Sequence, residues 1–206
     1  MRMISIAAVA GMAGLLLSAC APEVKTAPAS AELAPAEAKR FNVGDSWVYV
    51  VNGKPETTTI KAVDGDLYTG ANETTGCEYQ YFHASYSPGP QWKNCSGSSG
   101  TQQLSRTGSI FPLTVGASES WDVSGRNAKG ETWETTRSCE VKGTARVTVP
   151  AGSFDTYHVR CQDDWRIRDW WYAPELGFSA LSRNQHKSRA ETTTRELQSF
   201  TPAVSG

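Results

Sequence analysis

Hydrophobic and polar positions along the chain fall into three textures. Residues Ile4 to Leu17 are apolar or small and uncharged, directly behind Arg2. Residues 21–40 are rich in Ala, Pro and Glu, and Pro22, Pro28 and Pro35 interrupt any long helix there. From Phe41 onward Thr, Val, Tyr and Trp become frequent, and turn residues recur about every ten positions. No stretch keeps a helical period over three turns. This pattern predicts an all-β antiparallel domain over residues 41–200, preceded by a flexible tether over 20–40 and followed by a disordered tail over 201–206.

The clearest strand runs from Cys139 to Val149. Cys139, Val141, Gly143, Ala145, Val147 and Val149 alternate with Glu140, Lys142, Thr144, Arg146 and Thr148, so one face reads as buried and the other as wet. Pro150-Ala151-Gly152-Ser153 supplies a turn into a second strand, Phe154 to Cys161. A third strand, Trp165 to Tyr172, is expected beside it, and Lys187 to Phe200 reads as a closing, solvated edge strand. Cys77, Tyr79 and Tyr81 alternate with Glu78, Gln80 and Phe82 in a further strand before Ser87-Pro88-Gly89-Pro90. Glu-Thr-Thr recurs at 56–58, 73–75, 134–136 and 191–193. A duplicated meander and a Thr-rich β composition would each produce that echo.

The first texture has the form of a secretory signal peptide: a basic start, an apolar stretch too short to span a bilayer, and small residues at a cut site. It ends in Leu17-Ser18-Ala19-Cys20, which resembles the lipobox of bacterial lipoproteins. The resemblance implies cleavage of residues 1–19 and acyl chains on Cys20. Each buried CH₂ contributes about 0.8 kcal/mol, and several chains make a stable anchor where one is marginal. Ala21 rather than Asp follows the cysteine, which in Gram-negative lipoproteins implies transfer to the periplasmic face of the outer membrane.

Cleavage removes Arg2 from the 20 basic residues and leaves 21 acidic ones, a net charge of −2, which argues against a nucleic-acid partner. Beyond Cys20, four cysteines remain, and an even number in an exported chain reads as disulfides. Three pairings are open. Hairpin geometry favours Cys139 with Cys161, whose midpoint is residue 150 in the turn, and Cys77 with Cys95, whose midpoint is Tyr86. No Cys-x-x-Cys or Cys/His pair stands at metal-ligand spacing.

The expectation is a non-enzymatic protein without cofactor or metal. His83, His158 and His186 are far apart in sequence; His158 falls on the wet face of its strand, and Asp163 and Asp164 fall in a turn. The aromatic residues are more informative. Trp165, Ile167, Asp169 and Trp171 share one face of the third strand; Arg166, Arg168, Trp170 and Tyr172 share the other. One set is core. The second is either covered or forms a binding surface, since Trp, Tyr and Arg are enriched in such patches. Trp170, Tyr172, Arg166 and Arg168 are therefore the candidate binding residues.

Val149-Pro150-Ala151-Gly152-Ser153-Phe154-Asp155-Thr156-Tyr157 and Trp171-Tyr172-Ala173-Pro174-Glu175-Leu176-Gly177, with Phe111 to Gly116 upstream, resemble segments of an uncharacterised β-rich bacterial envelope family. The resemblance spans about residues 41–185 and implies a curved antiparallel sheet or open β-barrel. It implies no catalytic set. Two functions remain: an envelope module that binds a protein or wall partner or serves as a structural element, and a carrier or sensor of a lipid or other apolar ligand.

Overall fold

The computed structural model describes residues 24–95 and 97–203. The expected signal peptide, Cys20 and residues 204–206 lie outside the described residues. The strands are β1 (Thr26–Ala27), β2 (Ser46–Val51), β3 (Lys54–Asp64), β4 (Leu67–Asn72), β5 (Glu78–Phe82), β6 (Pro88–Lys93), β7 (Ser99–Ser109), β8 (Ser118–Asn127), β9 (Thr132–Val149), β10 (Gly152–Gln162), β11 (Arg166–Ala173), β12 (Phe178–His186) and β13 (Thr192–Thr201). The all-β antiparallel fold is as expected, and the curvature goes to completion. The sheet runs β9-β10-β11-β12-β13-β2-β3-β4-β5-β6-β7-β8, and β8 pairs back onto β9, closing a barrel of twelve strands.

The register defines a single inner face. Trp47 stands opposite Thr58, Gly70 opposite Tyr79, Leu104 opposite Val123, Trp121 opposite Arg137, Cys139 opposite Cys161, Val159 opposite Trp170, and Ser182 opposite Arg195. Partners across a ladder share a face, so following them around the barrel identifies the inward side chains. β13 lies between β12 and β2 and is thus an interior strand, not the solvated edge expected for the C-terminal stretch. Its last residue is Thr201, and the Ala203 amide donates to Asp45 Oδ1 at 2.7 Å, so the start of the expected tail is pinned to the barrel.

The strand read as one continuous alternation is broken by a bulge. Val159 pairs with Val141 but His158 pairs with Gly143, leaving Lys142 without a partner across the ladder. Cys139 and Val141 point inward; Ala145, Val147 and Val149 point outward. The outward set is buried nonetheless, because the β9–β10 hairpin tip folds over the outside of the barrel. There the Ala151 amide donates to the Leu197 carbonyl at 3.0 Å, and Val147 and Val149 pack with Trp171 and Leu181. β1 adds to the free edge of β9, with Thr26 opposite Val147.

The cysteines join as Cys77–Cys95 and Cys139–Cys161. The first closes the β5–β6 hairpin. The second ties β9 to β10 within a buried cluster that includes Val141, Tyr157, Val159 and Tyr172.

Residues 24–40 do not hang free. The Tyr157 hydroxyl donates to the Leu33 and Ala34 carbonyls at 2.9 and 3.0 Å, and the Tyr172 hydroxyl donates to the Glu37 carbonyl at 2.9 Å. Ala36 and Leu113 exchange both backbone hydrogen bonds, and Ala36 is only 5% exposed. The tether expectation is corrected for a physical reason. A Pro-interrupted extended segment has unpaired carbonyls, small residues let it approach closely, and the inner-face phenols at this end of the barrel need acceptors. Deleting residues up to Arg40 should therefore lower stability by at least about 3 kcal/mol, counting about 1 kcal/mol for each lost hydrogen bond. Urea unfolding of the two lengths checks this; a free tether would leave the midpoint unchanged.

Candidate functional site

Period-two alternation sends Tyr49 of β2, Tyr68 of β4, Tyr79 and Tyr81 of β5, and Trp170 and Tyr172 of β11 into the barrel. Gly70 is needed opposite Tyr79, because a Cβ there would lie 2.9 Å from the tyrosine ring. The β5–β6 loop, residues 83–87, also turns inward. The Ser85 hydroxyl and the Tyr86 amide both donate to buried Glu119 Oε1, at 2.9 and 2.8 Å. Arg106 pairs with Glu119 Oε2 at 2.7 Å and donates to the Ala84 carbonyl at 3.2 Å. Ala84 takes a left-handed φ of 52° to make this inward turn. The loop thereby places the Tyr86 ring 4.9 Å from Trp170 and 6.0 Å from Phe111.

These groups leave a cavity of about 470 Å³ inside the barrel. That size and an aromatic lining are typical of small-molecule sites. Phe41, Trp47 and Phe178 stand at the capped end, in mutual edge-to-face or tilted contact. Arg137 and Arg195 line the cavity further along: Arg137 lies beyond Cys139 on β9, and Arg195 lies beyond Leu197 and Phe200 on β13.

The electrostatics are one-signed. Lys39, Arg137 and Arg195 line the cavity, and among the described residues no Asp or Glu does. Burial pushes the phenols of Tyr49, Tyr79, Tyr81 and Tyr86 above their ordinary value, and that of Tyr172 up to about 12, so these wall residues carry neutral hydroxyls. Arg195 pairs with Glu56 at 3.8 Å and lies over the Tyr49 ring. Arg137 is pushed down to about 10, first by burial and then by neighbouring Arg168. Both arginines share one carboxylate: Asp163 Oδ2 lies 3.3 Å from Arg137 and 2.6 Å from Arg168. Burial works to raise the Asp163 carboxyl, but Arg168 and the other donors outweigh it and hold the group below its usual range.

All four candidate binding residues share the inner face, so a ligand they meet lies inside the barrel. Trp170 and Tyr172 line the cavity, and Tyr172 is only 4% exposed. Arg168 is held by Asp163, and Arg166 donates to Asn184 at 3.4 Å. On the outer face Trp165 is 42% exposed, while Trp171 is covered by the hairpin tip and stacks on His158 at 4.8 Å. His158 and Arg160 each contact Asp169 at 2.7 Å, and their hydrogen bonds overcome burial to hold that carboxyl below its usual range. Sequence reasoning missed Tyr49, Tyr86 and Arg137 as cavity residues. The alternation of Tyr79 and Tyr81 was a usable signal; the inward loop carrying Tyr86 had none. Among the described residues no three His, Cys, Asp or Glu side chains converge to hold a metal ion.

No family model matches the sequence, and no curated protein matches it. Solved structures show a loose likeness of fold. The hypothetical lipoprotein YmcC of Escherichia coli is 7% identical at a TM-score of 0.46, over 77% of this chain and 85% of that one. A Bacteroides fragilis protein with a YmcC-like fold is 12% identical at a TM-score of 0.41, over 81% of this chain and 99% of that one. A Parabacteroides distasonis protein is 12% identical at 0.39, over 78% and 96%.

The lowered carboxyls of Asp163 and Asp169 set a pH dependence. On acidification the unfolded chain takes up protons first, near the ordinary value of 3.8, so the stability these groups supply is present above that value and is lost as pH falls through their lower folded values. Asp163→Asn, which leaves two buried guanidiniums without a counter-charge, should cost about 3 kcal/mol or more at pH 7. It should also flatten the fall in stability on going to pH 3. Denaturant unfolding of both proteins at the two pH values measures this.

Proposed function

We propose that this chain is a lipid-anchored binding protein of the bacterial envelope that holds a small amphipathic molecule inside the barrel without catalysing a reaction on it. The observation that carries the reading is the aromatic-lined cavity of about 470 Å³ within a closed sheet. A well-packed interior leaves few voids larger than a water molecule. A cavity of this size, walled by Tyr, Trp and Phe with cations at depth, suits a ligand with an apolar body and a polar head. The carrier or sensor reading thus stands ahead of partner docking through Trp170 and Tyr172, because both side chains face the barrel interior.

The anchor shapes how such a ligand would arrive. With acyl chains on Cys20, the chain reaches the sheet at Thr26, six residues later, a span of at most about 20 Å. The barrel then rides close to the bilayer, on the periplasmic face of the outer membrane in a Gram-negative cell, where an amphipathic molecule can pass between membrane and cavity.

The test uses the mature chain from Ala21, exported behind a cleavable signal peptide so that both disulfides form, and the neutral fluorescent probe N-phenyl-1-naphthylamine. Wild-type protein should bind about one probe per chain. Ser182, a small inward residue of β12 on the cavity wall, is the blocking position. Ser182→Phe should abolish probe binding while leaving the thermal midpoint within a few degrees of wild type. Absence of binding to wild type, or equal binding to a folded Ser182→Phe variant, rules the cavity out as the site.

A further inference from the structure

We infer that the molecule held in the barrel is a monocarboxylic acid with an apolar body, and that Arg137 receives its carboxylate. This rests on the cavity reading and goes beyond it by naming the chemistry of the head group.

Two guanidiniums, Arg137 and Arg168, are largely buried beside one carboxylate, Asp163. Asp163 has no capacity left to correct this. Its Oδ1 accepts the Trp165 and Arg166 amides at 3.0 and 2.8 Å, and its Oδ2 accepts Arg168 at 2.6 Å and Arg137 at 3.3 Å. Arg168 holds the shorter contact, so Arg137 is the weakly matched member. Its Nε–H is buried with no acceptor, and Arg137 is the member of the pair that lines the cavity. A buried cation without full compensation is costly, and the guanidinium fork matches a carboxylate in geometry as well as in charge.

The other lining cations do not share a carboxylate with a second cation, and both are more exposed than Arg137. Arg195 has Glu56 and the Tyr49 ring. Lys39 donates to the Leu176 carbonyl at 3.2 Å and lies over the Phe200 ring at the capped end. Among the described residues no carboxylate lines the cavity to repel an acid. At the Arg137–Arg168–Asp163 cluster the excess is one positive charge, which one carboxylate neutralises and a dianionic phosphate would overshoot. The aromatic walls between the capped end and Arg137 take the apolar body, and their protonated phenols add no negative charge.

Calorimetric titration of the mature chain from Ala21 with decanoate and with 1-decanol, at pH 7, tests this. The two probes share chain length and differ in the charge of the head. Decanoate should bind at least tenfold more tightly. Arg137→Met should bring decanoate down to the affinity of decanol and leave decanol within about twofold. Ligand-free Arg137→Met should unfold no more easily than wild type, since Asp163 then stays paired one-to-one with Arg168. A merely structural Arg137 would instead lower the ligand-free midpoint and weaken both probes alike. Equal affinity of wild type for acid and alcohol, or a preference for acid that survives Arg137→Met, overturns the inference while leaving the cavity reading standing. Binding of neither probe overturns both. Should Arg137→Met fail to fold, the wild-type comparison still decides the sign, and Arg137→Lys should retain part of the preference.

Discussion

Closure of the sheet between β8 and β9 is the constraint from which the rest of the molecule follows. A closed sheet leaves no exposed strand edges along the barrel, but it creates an inside that must be occupied. About eight strands enclose a space that side chains can just fill, and diameter grows with strand number. Twelve strands enclose more than their own aliphatic residues can fill. The chain meets this with large rings on the inner face, with a loop turned inward on Glu119, and with a segment drawn across one end by Tyr157 and Tyr172. What these devices leave unfilled is the cavity.

The same closure explains the polar character of the interior. Side chains on the inner face cannot reach bulk water through the wall, so each buried charge needs a partner within the barrel. Glu119 answers Arg106 and the inward loop; Glu56 answers Arg195; Asp163 answers both Arg137 and Arg168. Only the last arrangement falls short by one negative charge, and it does so at the cavity wall. Packing and electrostatics therefore point to the same place for a ligand, one by leaving room and the other by leaving an unmet donor.

Much of the fold was legible in the sequence, because strands announce themselves by alternation and turns by Gly and Pro. The antiparallel class, the β9–β10 hairpin and the face shared by Arg166, Arg168, Trp170 and Tyr172 all follow from period-two reading. That reading cannot tell the inside of a barrel from its outside, so it left these four residues open between a covered set and a binding surface. It also cannot see a bulge: the valines of Cys139–Val149 keep a perfect alternation through Gly143, yet the two halves of the strand face opposite sides of the wall. The N-terminal segment misled for a different cause. Its Ala and Pro content signals a lack of helix and sheet, and only the tyrosine hydroxyls of distant strands convert it into a cap. Arg137 was invisible as a site residue because its meaning lies in sharing Asp163 with Arg168, a relation set by tertiary structure.

The central claim is that the closed barrel holds an amphipathic acid within its wall of aromatic rings. Co-crystallisation of the mature chain with 10-bromodecanoic acid, read by bromine anomalous scattering, tests it most directly. The account predicts a single bromine peak among the aromatic side chains of the capped end, with the carboxylate at Arg137. A peak confined to the outer surface, or an unliganded barrel under saturating acid, would contradict it.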